Sequence, residues 1–274
     1  MFRLKKFLKN SQIIIGGSIV IVLVLMAVFA PLVVTHDPLV INVPARLNPP
    51  SAVNWLGTDA LGRDVFSRLV FGTRISLTIG VLASFFGAVV GVTMGIISGY
   101  YGKWVDSVVM RFCDVLLAFP GILLALGIIT ILGASTFNTI VAVSIFAVPI
   151  FARIARGQAM QLKKAEYIDA IKTVGASDLR ILTRHILPNI LSPITVQMTL
   201  YIASAIVTAA SLSFLGLGTQ QPTPEWGTML ADGREFLLQA PHLVLYPGLS
   251  ILITVLGINL LGDGLRDVLR PRGR

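Results

Sequence analysis

The sequence predicts an all-α membrane protein with six transmembrane helices. Two observations carry this. The chain is 55% hydrophobic but only 13% charged, with a mean hydropathy of +0.84, and soluble domains carry about twice that charged fraction. The apolar residues also fall in runs, each long enough to cross a bilayer at about 1.5 Å per residue.

The first run covers residues 13–34 and follows the basic start MFRLKKFLKN. It is too long for a signal peptide and lacks a convincing small-residue cleavage site, so it is expected to remain as the first helix. The following spans are expected at residues 75–99, 105–132, 139–156, 189–217 and 243–262. Residues 35–72 are proline-rich and read as an irregular loop, ending in a short interfacial helix at 64–71. A second such loop covers 219–241, with Glu225, Trp226, Asp232, Arg234 and Glu235. Both loops are candidate contacts for a substrate-delivery protein, and both also read as solvated caps.

Charge sets the orientation. With the N-terminus inside, 17 of the 22 Lys and Arg residues lie in inner segments. Both termini and the charged loop 159–188 are therefore expected in the cytoplasm. The formal net charge of +9 follows these loops, which argues for a membrane signal rather than a nucleic-acid surface.

Catalytic motifs are absent. There is no GxxxxGK[ST] phosphate loop, no HExxH and no nucleophile–histidine set. Cys113 stands alone, so no intrachain disulfide forms, and His36, His185 and His242 are scattered. No metal site is expected. Within the spans, Arg111 and Asp114 are expected to pair locally, and Asn259 to hydrogen-bond between helices. Gly87, Gly91, Gly95 and Gly99 form one bare helical stripe, which fits close packing within the subunit and equally a moving gate.

The polar segment 161–188 is the most patterned part of the chain and reads as a docking loop for a soluble partner. Ala165, Ile168 and Ile171 share one helical face, with Glu166 and Asp169 on another. Gly175 suits a left-handed helix end and Ser177 an N-cap. Leu179, Leu182 and Ile186 then repeat on one face, and Pro188 closes the segment.

DAIKTVGASDLRILTRHILP, residues 169–188, resembles the EAA loop of binding-protein-dependent ABC importers. Asp169, Ala170 and Ile171 stand at EAA, Gly175 at the glycine, and Leu187 and Pro188 at the closing pair. Asp169 departs from Glu, Ile171 from Ala, and His185 from Ile, while the spacings are kept. WLGTDALGRDVFSRLVFGTRISL, PTPEWGTMLADG and GDGLRDVLRP are similar to the C-type subunit of the dipeptide, oligopeptide and nickel permease family.

The resemblance implies the type I ABC importer permease fold in the cell inner membrane. Its parts would be residues 1–72 (first helix, loop and lead-in), 73–263 (a five-helix core) and 264–274 (a cytoplasmic tail). It implies a B-type permease partner completing a heterodimeric pore, two ATP-binding subunits that hold ATP and Mg, and an extracytoplasmic substrate-binding protein. This chain itself would hold no cofactor. Residues 162–174 would be the coupling helix, its apolar side in an ATPase groove and Lys163, Lys164, Glu166 and Asp169 at the rim. The implied cargo is a dipeptide or oligopeptide, with nickel or a metal chelate as the alternative. An ion-coupled transporter and a non-transporting scaffold are competing classes, and no inverted repeat or buried acidic chain supports the first.

Overall fold

The computed structural model describes residues 10–269. The basic start (Arg3, Lys5, Lys6, Lys9) and Arg270, Arg272 and Arg274 of the tail lie outside the described residues. The described chain is helical, with one isolated bridge between Thr58 and Asp64. Five of the described helices are long and apolar enough to cross a membrane, or six if one bent pair is counted as a single span.

Helix α1 (Ser11–Val28) is capped by Asn10, whose Oδ1 accepts from the backbone of Gln12 and Ile13. It packs along the final helix, where glycines allow the approach. A Cβ at Gly16 would sit 2.6 Å from the Gly257 carbonyl oxygen. A short α2 (Ala30–Val33) and an irregular loop follow.

The predicted lead-in helix and second span are one continuous rod, α3 (Val65–Tyr101), about 55 Å long. Asp64 caps it, accepting from Ser67 N at 2.8 Å. Nothing between residues 64 and 75 breaks helix geometry: Gly72 costs some propensity, but no proline removes a donor. The predicted third span is instead two helices, α4 (Lys103–Ala118) and α5 (Gly121–Leu132), bent by 93°. Pro120 explains the bend. It has no N–H, and it forces Phe119 to an extended conformation at φ −91°, ψ 137°.

Helix α6 (Thr136–Lys163) returns along α3. The charged segment then holds α7 (Glu166–Thr173), α8 (Asp178–Ile181) and a π turn at Leu182–Ile186. This runs directly into α9 (Leu187–Phe214). Pro188 therefore does not close the segment: it occupies the first turn of α9, where a missing N–H costs little. Helices α10 (Trp226–Gly233) and α11 (His242–Leu269) complete the described residues. Residues 264–269, expected as tail, continue α11.

The main core joins α3, α6 and α9 and includes Ile79, Phe151, Ile190 and Tyr201. The glycine stripe lies in it. Cβ atoms at Gly87, Gly91, Gly95 and Gly99 would all collide with α6; at Gly99 one would sit 2.6 Å from the Arg156 carbonyl oxygen. The stripe is an intrasubunit seam. Other helix faces turn Phe85, Phe86, Val89, Leu252 and Leu256 outward, the pattern of a protein whose surroundings are apolar.

Two expected contacts differ. Asp114 pairs with Arg153 at 2.7 Å rather than with Arg111, because α6 brings a guanidinium across from a distant part of the chain. Asn259 is half-buried and makes no side-chain hydrogen bond among the described residues.

Candidate functional site

The charged loop is built against one end of the core. Helix α6 stops at Lys163, and a turn through Lys164 and Ala165 redirects the chain. The short helix after it begins at Glu166, not at residue 162. Glu166 and Asp169 occupy its first turn and Lys172 its last, which matches the helix dipole at both ends.

Its end is a Schellman turn. Gly175 N donates to the Lys172 carbonyl at 2.9 Å and Ala176 N to the Ile171 carbonyl at 3.2 Å. Gly175 adopts φ +84°, the conformation expected of it. Ser177 then caps α8 by accepting from Arg180 N at 3.4 Å.

The apolar face of α7 points inward. Ile168 is fully buried, and Ala165 and Ile171 are packed on the same core. That face is occupied by the chain's own residues and is closed to a partner's groove. The exposed face carries Glu166, Asp169, Ala170 and Tyr167, followed by Val174 at 83% exposure. The face expected from Leu179, Leu182 and Ile186 is also rearranged. Leu179 is 71% exposed, whereas Ile181, Ile186 and Ile190 are buried. The π turn accounts for this, because its wider spacing places Ile181 and Ile186 on one side.

Of the rim lysines, Lys164 is exposed but Lys163 is engaged. Its Nζ donates to the Tyr100 carbonyl at 2.5 Å. The Tyr100 ring lies under both Lys163 and Lys172, at 5.5 and 5.2 Å. Tyr100 Oη donates to Asp178 at 2.6 Å. The last turn of α3 is thereby tied to both sides of α7. Leu187 is half-buried and Pro188 exposed at the base of α9. Sequence reasoning missed Tyr100, Asp178, Tyr167 and Val174. The only available signal was Tyr100's place directly after the glycine stripe.

At the opposite end, two residues expected on a partner-facing loop are buried. Glu225 caps α10 through Gly227 N and Thr228 N, both at 2.9 Å, and Trp226 Nε1 donates to the Leu69 carbonyl at 3.2 Å. Arg234 and Glu235 are exposed. Arg63 pairs with Asp59 at 2.6 Å. Burial pushes the Asp232 carboxyl above its usual range, against the pull of Gln221, Arg63 and Arg68.

Comparison with known proteins places this architecture. Residues 91–274 match the family described as binding-protein-dependent transport system inner membrane component. Residues 3–50 match the N-terminal TM domain of oligopeptide transport permease C. The glutathione transport system permease protein GsiD of Pectobacterium atrosepticum is 47% identical over 269 residues, 98% of this chain and 89% of the relative. The dipeptide transport system permease protein DppC of Alkalihalophilus pseudofirmus is 48% identical over 268 residues, 98% of this chain and 88% of the relative. An inward-facing structure of the MetNI methionine ABC transporter superposes with TM-score 0.59 at 20% identity, over 75% of this chain and 98% of that one. A chain built of these spans, matched over nearly its whole length by such permeases, belongs to the family of inner-membrane permease components of binding-protein-dependent ABC importers.

Proposed function

We propose that the chain forms half of a heterodimeric pore for dipeptides or oligopeptides, beside a B-type permease. Two ATP-binding subunits, which hold ATP and Mg, dock on the α7 loop, and an extracytoplasmic binding protein delivers cargo to the other side. The loop and both termini face the cytoplasm, as the basic residues favour. The names of the glutathione and dipeptide relatives support a small peptide cargo.

The observation that carries the reading is the two-sided character of α7. Its inner face is locked to the core through Ile168, and its outer face offers Glu166, Tyr167, Asp169 and Ala170. A partner pressing on the outer face moves the inner face and whatever is fixed to it. Tyr100 fixes α3 to the same unit. Lys164, Glu166 and Asp169 set register at the rim by charge; Gly175, Leu187 and Pro188 hold the loop's shape.

Reconstitution tests it. Proteoliposomes holding all partner subunits should import a dipeptide only with ATP and binding protein, and no ion gradient should replace ATP. A cysteine at Ala170 should crosslink to an ATPase subunit. Uptake without nucleotide, or no crosslink at any exposed α7 position, would rule the reading out.

A further inference from the structure

At the end opposite α7, a cavity of about 550 Å³ lies between the N-terminus of α3, the end of α9 and α10. That size suits a small ligand. Four arginines line it: Arg46, Arg63, Arg68 and Arg234. Three acids line it too, Asp59, Asp232 and Glu235. The balance of donors is what matters. Arg63 is satisfied by Asp59 at 2.6 Å and Asp232 at 3.7 Å.

The other three arginines are under-used. Arg68 is 1% exposed; its Nε faces Asp59 at 3.5 Å and its Nη1 donates to the Pro38 and Pro222 carbonyls, but Nη2 has no partner among the described residues. A buried guanidinium N–H without an acceptor is costly. Arg46 makes no side-chain ion pair or hydrogen bond among the described residues and lies 5.5 Å from the Phe236 ring centroid. Arg234 stacks similarly on Phe214 at 5.3 Å and, among the described residues, donates only to the Phe214 carbonyl, at 3.4 Å. Two arginines stacked on aromatic rings keep N–H donors available at the cavity, and Arg68 adds positive charge behind its wall.

We propose that this cavity binds a small molecule through its carboxylate, of the kind a free peptide C-terminus presents, held by Arg46 and Arg234 at the mouth, with the charge of Arg68 behind the wall. Guanidinium matches a carboxylate in plane and charge. With the loop end cytoplasmic, the cavity lies on the outer side, where cargo arrives; to that extent the site rests on the permease reading above. A concave site of this volume favours a small acid over a protein surface.

The test is protection of an introduced thiol. Leu215 lines the cavity and is 53% exposed. Leu215→Cys is made in the complete transporter in nanodiscs, without binding protein or nucleotide. Alkylation is followed with N-acetyl-dialanine, its C-terminal amide, or sodium phosphate at matched ionic strength. The acid should slow alkylation and the amide should not. Arg46→Gln and Arg234→Gln, both at exposed positions, should each raise the protecting concentration about tenfold. Arg68→Gln removes the charge behind the wall and should weaken protection in protein that still assembles.

Equal protection by acid and amide overturns the site, as does equal protection by phosphate. Unchanged protection in both exposed-arginine variants also overturns it. Peptide import without protection sinks this site and leaves the permease reading standing; protection without import does the reverse.

Discussion

Tyr100 Oη donates to Asp178 Oδ1 at 2.6 Å, joining the end of the 37-residue helix α3 to the start of α8. The same residue's carbonyl accepts from Lys163. Tyr100→Phe removes one donor and keeps the ring. Asp178 is exposed and can hydrate, so the stability cost should be modest, about 1 kcal/mol. The expected consequence is looser coupling. ATP hydrolysis should persist while peptides moved per ATP fall severalfold, read as the ratio of the two rates in proteoliposomes. An unchanged ratio would show that α3 receives no motion through this residue.

Gly175 offers a cleaner test of loop shape, because a Cβ there would meet nothing within 4 Å. Any penalty comes from the backbone at φ +84°. Gly175→Val should cost roughly 1–2 kcal/mol and reduce substrate-stimulated ATPase activity, with membrane insertion intact. Gly175→Asn, which tolerates the left-handed region, should retain most of it. Equal loss in both variants would point to a contact with a partner rather than to turn geometry.

The outcome at Gly175 shows what the sequence could disclose. A glycine at a helix end has one common use, and Ser177 two residues later fixes the next start. Apolar runs likewise located the five long helices, whereas the run at 105–132 is divided by the bend at Pro120. Features set by distant parts of the chain were hidden. Periodicity showed that Ala165, Ile168 and Ile171 share a face, but not whether a partner or the chain itself covers it. Asp114 had a local candidate in Arg111, and only the packing of α6 beside α4 supplies Arg153. The continuity of residues 65–101 was hidden as well, because Arg68, Gly72 and Arg74 interrupt the apolar run without interrupting the helix. The buried Arg68 was legible only as a charge near a membrane edge.

The glycine seam predicts a sharp contrast between positions of one residue type. At Gly95 a Cβ would strike the Ala152 carbonyl and lie 2.8 Å from Ala155 Cβ, whereas at Gly127 it would meet nothing within 4 Å. Gly95→Val must separate α3 from α6 and should cost about 1–3 kcal/mol or more. Gly127→Ala should be neutral or slightly stabilising, since alanine favours helix. Thermal unfolding of the purified complex distinguishes them. A Gly95→Val protein as stable as its parent would mean the seam opens readily, and the gate reading of the stripe would return.

The two faces of α7 should fail differently. Glu166 and Asp169 are exposed and make no side-chain ion pair among the described residues, so Glu166→Lys with Asp169→Lys should leave the fold intact. ATPase subunits should then bind less tightly, and the loss should shrink as salt rises, because rim charges act through screened attraction. Ile168→Asp instead places a charge in the core beneath α7, where the side chain is fully buried. An unpaired buried carboxylate costs several kcal/mol, so this variant should lose protease resistance in the loop even without partners. Co-purification across a salt series, paired with limited proteolysis of the isolated subunit, reads both. If the double charge reversal bound ATPases normally at low salt, charge would not set the register, and Tyr167, Ala170 and Val174 would have to supply it by packing.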